Sequence, residues 1–188
     1  MENTVVKREV VKKGLSATDV VLVAILLAAG AVLRLITPPV FGITPNFVIV
    51  MYCTAIYLIR PKFVELIFIS LVSAAVCHFT TKSMIPYLNF ISEPVGALVV
   101  FGMIKVPFKA MIKNVTLKPA IVTFFGTIAS GLVYISVLKF LILFVKTPKN
   151  PAFAFLLITV FSTAVANTII AQFIYYPVKM AAGKKDLE

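Results

Sequence analysis

The run PAIVTFFGTIASGLVYISVLKFLILFV at residues 119–145 contains one charged residue, Lys139, and exceeds the roughly 17–25 apolar residues that a helix needs to cross a bilayer. Read as a single helix, it places Thr127, Ser130 and Tyr134 at intervals of three and four, and therefore on one face. A membrane helix with a polar stripe is expected to turn that stripe away from lipid, toward the protein interior or a watery cavity.

Working outward, breaks at charges and prolines give five further apolar segments, at 17–36, 45–59, 63–79, 88–104 and 152–180. The segment 45–59 is short for a straight span, so it is either extended by Gly42-Ile43-Thr44 or crosses only part of the bilayer. Whole-chain figures agree. Of 188 residues 61% are apolar and 13% charged, with a mean hydropathy of +1.05, whereas a soluble domain is about one quarter charged. The fold expected is an all-α integral membrane bundle of six transmembrane helices. It comprises a basic N-terminal segment at 1–16, one membrane domain at 17–180 and a tail at 181–188. The basic start followed by an apolar run looks superficially like a secretory signal, but five more apolar segments follow, so the first is read as an uncleaved span.

The net charge of +11 does not indicate nucleic acid, because the basic residues are dispersed among loops instead of gathered on one solvated face. They do orient the chain. With six spans both termini share a side, and that side collects Lys7, Arg8, Lys12, Lys13, Arg60, Lys62, Lys105, Lys109, Lys113, Lys118, Lys179, Lys184 and Lys185. Both termini are expected to be cytoplasmic. The external connections, 37–44, 80–87 and 146–151, are short and rich in Pro, Thr and Gly, as tight lids would be. Cys53 and Cys77 fall inside apolar segments with the spacing of neither a disulfide framework nor a zinc site, and are read as small buried hydrophobes.

Polar side chains within the spans are the most informative feature. At about 1.5 Å per residue, Arg34, His78, Asn89, Glu93 and Lys139 fall in the external half, Ser130 and Asn167 fall nearer the midplane, and the internal half is almost entirely apolar. Thr159, Thr163 and Asn167 form a second polar stripe on the sixth segment. The candidate substrate-binding set is Arg34, Phe41, Asn46, Asn89, Glu93, Ser130, Tyr134 and Asn167. In this set Glu93 would accept an ammonium group, Arg34 or Lys139 would meet a carboxylate, and Asn89 and Asn167 would fix orientation. Phe41, Phe47, Tyr87, Phe90 and Tyr134 lie at the outer ends and could stack on a planar ligand.

Structural readings stand beside each of these. Ser and Thr often bond their own backbone or glue helices together. Arg34 and Lys139 can snorkel to the interface, outer aromatics can form an interfacial belt, and His78 can simply pack. Glu65 opens the third segment, where a carboxylate complements the helix dipole and can pair with Arg60 or Lys62.

The chain has neither a G-x-x-x-x-G-K-[ST] phosphate loop nor an H-E-x-x-H site, and no acidic relay threads the membrane. It is read as a binder without a motor and not as an enzyme, so energy would come from a partner. In the first span Ala24 and Ala28 form an A-x-x-x-A pattern that would let another helix approach closely.

Together these features resemble the S components of energy-coupling factor (ECF) transporters, and within that group the tryptophan type. The similarity runs from about Leu33 to Val178. It passes through Leu33 and Thr37-Pro38-Pro39-Val40-Phe41-Gly42, then Asn89-Phe90-Ile91-Ser92-Glu93-Pro94-Val95, then Gly126-Thr127-Ile128-Ala129-Ser130-Gly131, Asn167-Thr168 and Tyr176-Pro177-Val178. The resemblance implies tryptophan import across a bacterial plasma membrane. Its implied partners are the transmembrane scaffold subunit and two cytoplasmic ATPases, which use ATP, while this chain carries no cofactor. Ala24 and Ala28 would meet the scaffold, and 37–44 would gate the site. The chain contains no tryptophan, which would suit a protein made under tryptophan shortage. Other readings are an S component for a vitamin or aromatic precursor, a stand-alone secondary carrier, and a purely structural membrane protein.

Overall fold

The computed structural model describes residues 14–38, 44–108, 110–113, 115–144 and 150–184. Six helices account for nearly all of them: α1 Ala17–Ile36, α2 Phe47–Ile59, α3 Phe63–Thr80, α4 Asn89–Lys105, α5 Lys118–Phe144 and α6 Phe153–Ala181. A single 3₁₀ turn, Pro86–Leu88, leads into α4. A small antiparallel hairpin, β1 Met111–Ile112 and β2 Val115–Thr116, lies between α4 and α5.

Five of the helices are long and apolar enough to cross a membrane. The sixth, α2, has 13 residues, about 20 Å of helix, and reaches only part of the way. Its surroundings explain how so short a segment is stable. Residues Val48–Ile59 are all buried, and α2 packs against each of the other five helices. A helix that is apolar on every side belongs in the interior, and α2 is the axle of the bundle. The close approach of α1 depends on Gly30, where an added Cβ would lie 3.1 Å from the Phe47 carbonyl oxygen and from Val48 Cα.

The outer faces show what solvates the molecule. Ile25, Phe68, Phe79, Leu143, Phe173 and Met180 are each more than half exposed, and apolar surface of this extent is stable only against lipid. Helix ends are fixed by specific bonds. Ser16 caps α1 by accepting from the Asp19 amide, and the Asp19 carboxylate accepts in return from the Ser16 amide. Asp19 also pairs with Lys184 Nζ at 2.6 Å, which joins the start of α1 to the end of α6. Glu65 accepts from the amides of Lys62 (2.6 Å) and Leu15 (2.9 Å), so it ties the start of α3 to the residues preceding α1. Its role in the fold is that of a cap and a clasp.

The end of the bundle bearing the hairpin is more polar than its sequence suggests. Thr54 and Thr123 are buried there, Gln172 Nε2 donates to the Thr116 carbonyl, and the Thr116 amide donates to the Tyr176 hydroxyl. The expectation of an almost entirely apolar internal half is corrected accordingly. Thr54 bonds locally, to the Val50 carbonyl, whereas the Gln172 and Tyr176 bonds run between α6 and the hairpin, and a hydropathy reading registers neither.

Candidate functional site

At the opposite end, which carries the 3₁₀ turn, the first residue before α2 organises a polar centre. Asn46 is the N-cap of α2, and its Oδ1 accepts from the Ile49 amide at 3.4 Å and from Arg34 Nη1 at 2.8 Å. With the carbonyl so engaged, the amide nitrogen faces Glu93 Oε1 at 3.4 Å. The other carboxylate oxygen accepts from the Tyr52 hydroxyl at 3.0 Å and the Ser130 hydroxyl at 3.3 Å. Below this, the Asn46 backbone amide donates to Asn167 Oδ1 at 3.0 Å, and Asn167 Nδ2 donates to Thr127 Oγ1 at 3.2 Å. One connected network therefore spans α1, the start of α2, α4, α5 and α6.

Burial makes this network consequential. Glu93 is 1% exposed and Asn167 is fully buried, and a carboxylate so placed must be satisfied by donors or by a cation. Gly96 makes room for the arrangement, because a Cβ there would lie 2.8 Å from the Tyr52 hydroxyl and 2.9 Å from Ser130 Cβ. Arg34 is held from three sides: by Asn46, by Cys77 Sγ at 3.1 Å and, through Nη2, by Thr81 Oγ1 at 3.2 Å. A cation and a carboxylate thus stand on either side of one amide.

Both open onto a cavity of about 430 Å³, within the range of small-molecule sites. Its polar side carries Arg34, Asn46, Asn89, Glu93, Thr127, Ser130 and Tyr134. Its apolar wall comes largely from α5 and α6, through Ile135, Leu138, Phe155, Leu156 and Val160. Residues 80–84 close one edge. That loop is fixed by the Thr81–Ser83 hydroxyl pair (2.6 Å), by Tyr134, whose hydroxyl donates to the Ile85 carbonyl at 3.1 Å, and by Asn89, whose Nδ2 donates to the Pro86 carbonyl at 2.6 Å.

Of the candidate residues named from sequence, Arg34, Asn46, Asn89, Glu93, Ser130 and Tyr134 line this cavity. Asn167 lies beneath them and reaches the site through Asn46 and Thr127. Phe41 lies outside the described residues. Lys139 does not line the cavity; its Nζ is bonded to Asn150 Oδ1 and the Pro151 carbonyl, each at 2.6 Å. Phe47, Tyr87 and Phe90 do not line the cavity. Tyr87 and Phe90 instead gather with Phe79 around His78 on the outer face.

Two participants escaped the sequence reading. Tyr52 sits in the middle of the apolar α2 run and looks like a core aromatic, yet its hydroxyl donates to Glu93, and Cys77, a small hydrophobe by its sequence setting, accepts from Arg34. The only sequence signal for Tyr52 was a hydroxyl inside a hydrophobic helix, which demands a partner when buried. On α1, Ala24 and Ala28 are exposed, roughly a quarter to a third of a turn around the helix from Arg34.

Comparison with known proteins adds to this geometry. The family model described as tryptophan transporter TrpP matches residues 16–182. A probable tryptophan transport protein of Bacillus subtilis (strain 168) is 32% identical over 164 residues, which is 85% of this chain and 89% of that protein. No solved structure matches the chain.

Proposed function

From membership of the tryptophan transporter family TrpP, to which this chain belongs, we propose that it captures free tryptophan in the 430 Å³ cavity. A transport role and a multi-pass location in the bacterial plasma membrane follow from the family and from the five long apolar helices. In the proposed pose Glu93 takes the ammonium group, Arg34 takes the carboxylate, and the indole lies against Leu138, Phe155 and Leu156. The observation that carries the reading is the pair of opposite charges flanking Asn46 and opening onto one cavity. A zwitterion needs both charges at a fixed separation, and charge-assisted bonds are about twice as strong as neutral ones. Asn89 and Tyr134 then act by holding the 80–88 loop, Asn167 by setting Asn46, and the segment 37–44 with Phe41 as a gate.

For coupling, we propose an S component of an ECF transporter, with both termini cytoplasmic and the cavity facing outward. The chain has no phosphate loop, so ATP would be hydrolysed by two partner ATPases acting through a membrane scaffold docked at Ala24 and Ala28. Binding is directly measurable. Because the protein contains no tryptophan, the fluorescence of added tryptophan reports its own capture, and calorimetry in detergent gives the stoichiometry. Saturable one-to-one binding is expected, and no saturable signal would remove tryptophan as the ligand. Reconstitution in liposomes tests the coupling: ATP-dependent uptake only with the partners supports the S-component role, whereas uptake by this chain alone makes it a secondary carrier.

A further inference from the structure

The polar stripe of α6, Thr159, Thr163 and Asn167, is only partly absorbed by the network around Glu93. Asn167 enters that network through Asn46 and Thr127, whereas Thr159 and Thr163 line the cavity itself. Thr159 stands in the apolar wall. Phe155 and Leu156 precede it by one turn and Val160 follows it, and all three line the same cavity. Its neighbour fixes its depth, because Val160 packs onto Gly131 of α5, where an added Cβ would lie 2.6 Å from Val160 Cγ1. A hydroxyl is thus carried on a rigid helix among hydrocarbon side chains.

What that hydroxyl can do is set by where its proton goes. Thr159 Oγ1 donates to the Phe155 carbonyl at 2.9 Å, and a hydroxyl has one proton and two lone pairs. With the proton committed to its own helix, Thr159 offers a ligand lone pairs only. The aromatic amino acids differ at this point. Phenylalanine has no polar atom on its ring, tyrosine has a hydroxyl that both donates and accepts, and the tryptophan indole has an N–H that only donates. An indole lying against Leu138, Phe155 and Leu156 is removed from water, and a buried indole N–H demands a partner. Thr159 is the acceptor one turn along α6 from that contact. Thr163 lies a further turn along α6. With no hydrogen bond among the described residues, its hydroxyl keeps both roles and selects neither a donor nor an acceptor.

We propose that Thr159 is a specificity-determining residue: its Oγ1 accepts the indole N–H and so favours tryptophan over aromatic side chains of similar bulk that lack a donor there. The assignment rests on the tryptophan pose given above and deepens it. Arg34 and Glu93 would read the carboxylate and ammonium groups common to all free amino acids, and Thr159 reads the side chain.

The test is calorimetry on the full chain in detergent with tryptophan and its isostere benzothienylalanine, which keeps the fused bicycle, the ammonium and the carboxylate but has sulfur in place of the N–H. The unsubstituted chain is expected to bind tryptophan about ten-fold more tightly than the isostere, the scale of one hydrogen bond. T159V exchanges the hydroxyl for a methyl group of similar size. It weakens tryptophan about ten-fold and the isostere less than about two-fold, so the preference disappears. T159S keeps the hydroxyl and retains the preference. A cooperative thermal transition checks the folding of each variant, and the comparison on the unsubstituted chain needs no variant at all. Failure of the unsubstituted chain to bind either ligand would remove the tryptophan reading and this assignment with it. Equal affinity for the two ligands, equal weakening of both by T159V, or a preference lost from T163V and kept by T159V would each overturn the assignment of Thr159 while tryptophan capture stands.

Discussion

Replacing Glu93 by glutamine removes one charge from the centre of the proposed site while nearly preserving its shape. The amide oxygen of the new side chain can still accept from the Tyr52 and Ser130 hydroxyls, which lie 3.0 and 3.3 Å from Glu93 Oε2. Its amide nitrogen then faces Asn46 Nδ2, now donor against donor across the 3.4 Å contact, a mismatch that costs about 1 kcal/mol of stability. Ligand binding loses more. Glu93 is 1% exposed, and truncating one partner of a buried charge pair costs about 2–5 kcal/mol. The Kd for tryptophan therefore rises at least about thirty-fold. Calorimetry on the purified chain measures this, and indole-3-propionate, which lacks the amino group, supplies the internal comparison. Its affinity is expected to change by less than about three-fold, since it has no ammonium to lose a partner. If both ligands weaken equally, Glu93 holds the helices together without meeting the substrate, and the proposed pose is wrong.

The mirror-image perturbation acts on the cation: R34Q weakens tryptophan by about 2 kcal/mol or more and spares tryptamine, which has no carboxylate, and equal losses for the two would remove Arg34 from the ligand. G96A drives a methyl group against the Tyr52 hydroxyl and the Gly126 carbonyl oxygen, 2.8 and 2.9 Å away. It is expected to cost about 1–3 kcal/mol, read as a lower thermal midpoint in detergent, and an unchanged midpoint would show that the α4–α5 contact is looser than described. The double variant A24L/A28L enlarges an exposed face of α1, so tryptophan binding by the isolated chain stays within about two-fold while ATP-dependent uptake with the partner subunits is lost, as blocked close helix approach requires. Full uptake by that variant would place the scaffold contact elsewhere.

The sequence shows the spans clearly because lipid imposes a length on an apolar run, and α3 through α6 begin and end within a residue or so of the positions expected from charges and prolines. It does not show what each helix faces. A segment such as Phe47–Ile59 is apolar whether lipid or protein surrounds it, so the central place of α2 becomes visible only when five neighbours are seen to cover it. The polar centre divides in the same way. Thr127, Ser130 and Tyr134 announce themselves by helical spacing, and Glu93 by the cost of burying a carboxylate. Tyr52 joins Glu93 across 41 positions and Asn167 joins Asn46 across 121, pairings that no local period encodes. The strands Met111–Ile112 and Val115–Thr116 leave no mark in the sequence for a different reason, since two residues each are too short for alternation to register.

The central claim, that a tryptophan zwitterion is held between Arg34 and Glu93, is tested most directly by an experimental structure of the chain bound to tryptophan. Expected is the amino nitrogen within about 3 Å of the Glu93 carboxylate, the carboxylate at the Arg34 guanidinium and the indole against Phe155 and Leu156. A ligand seated with its polar groups away from both charges, or bound outside this cavity altogether, would contradict it.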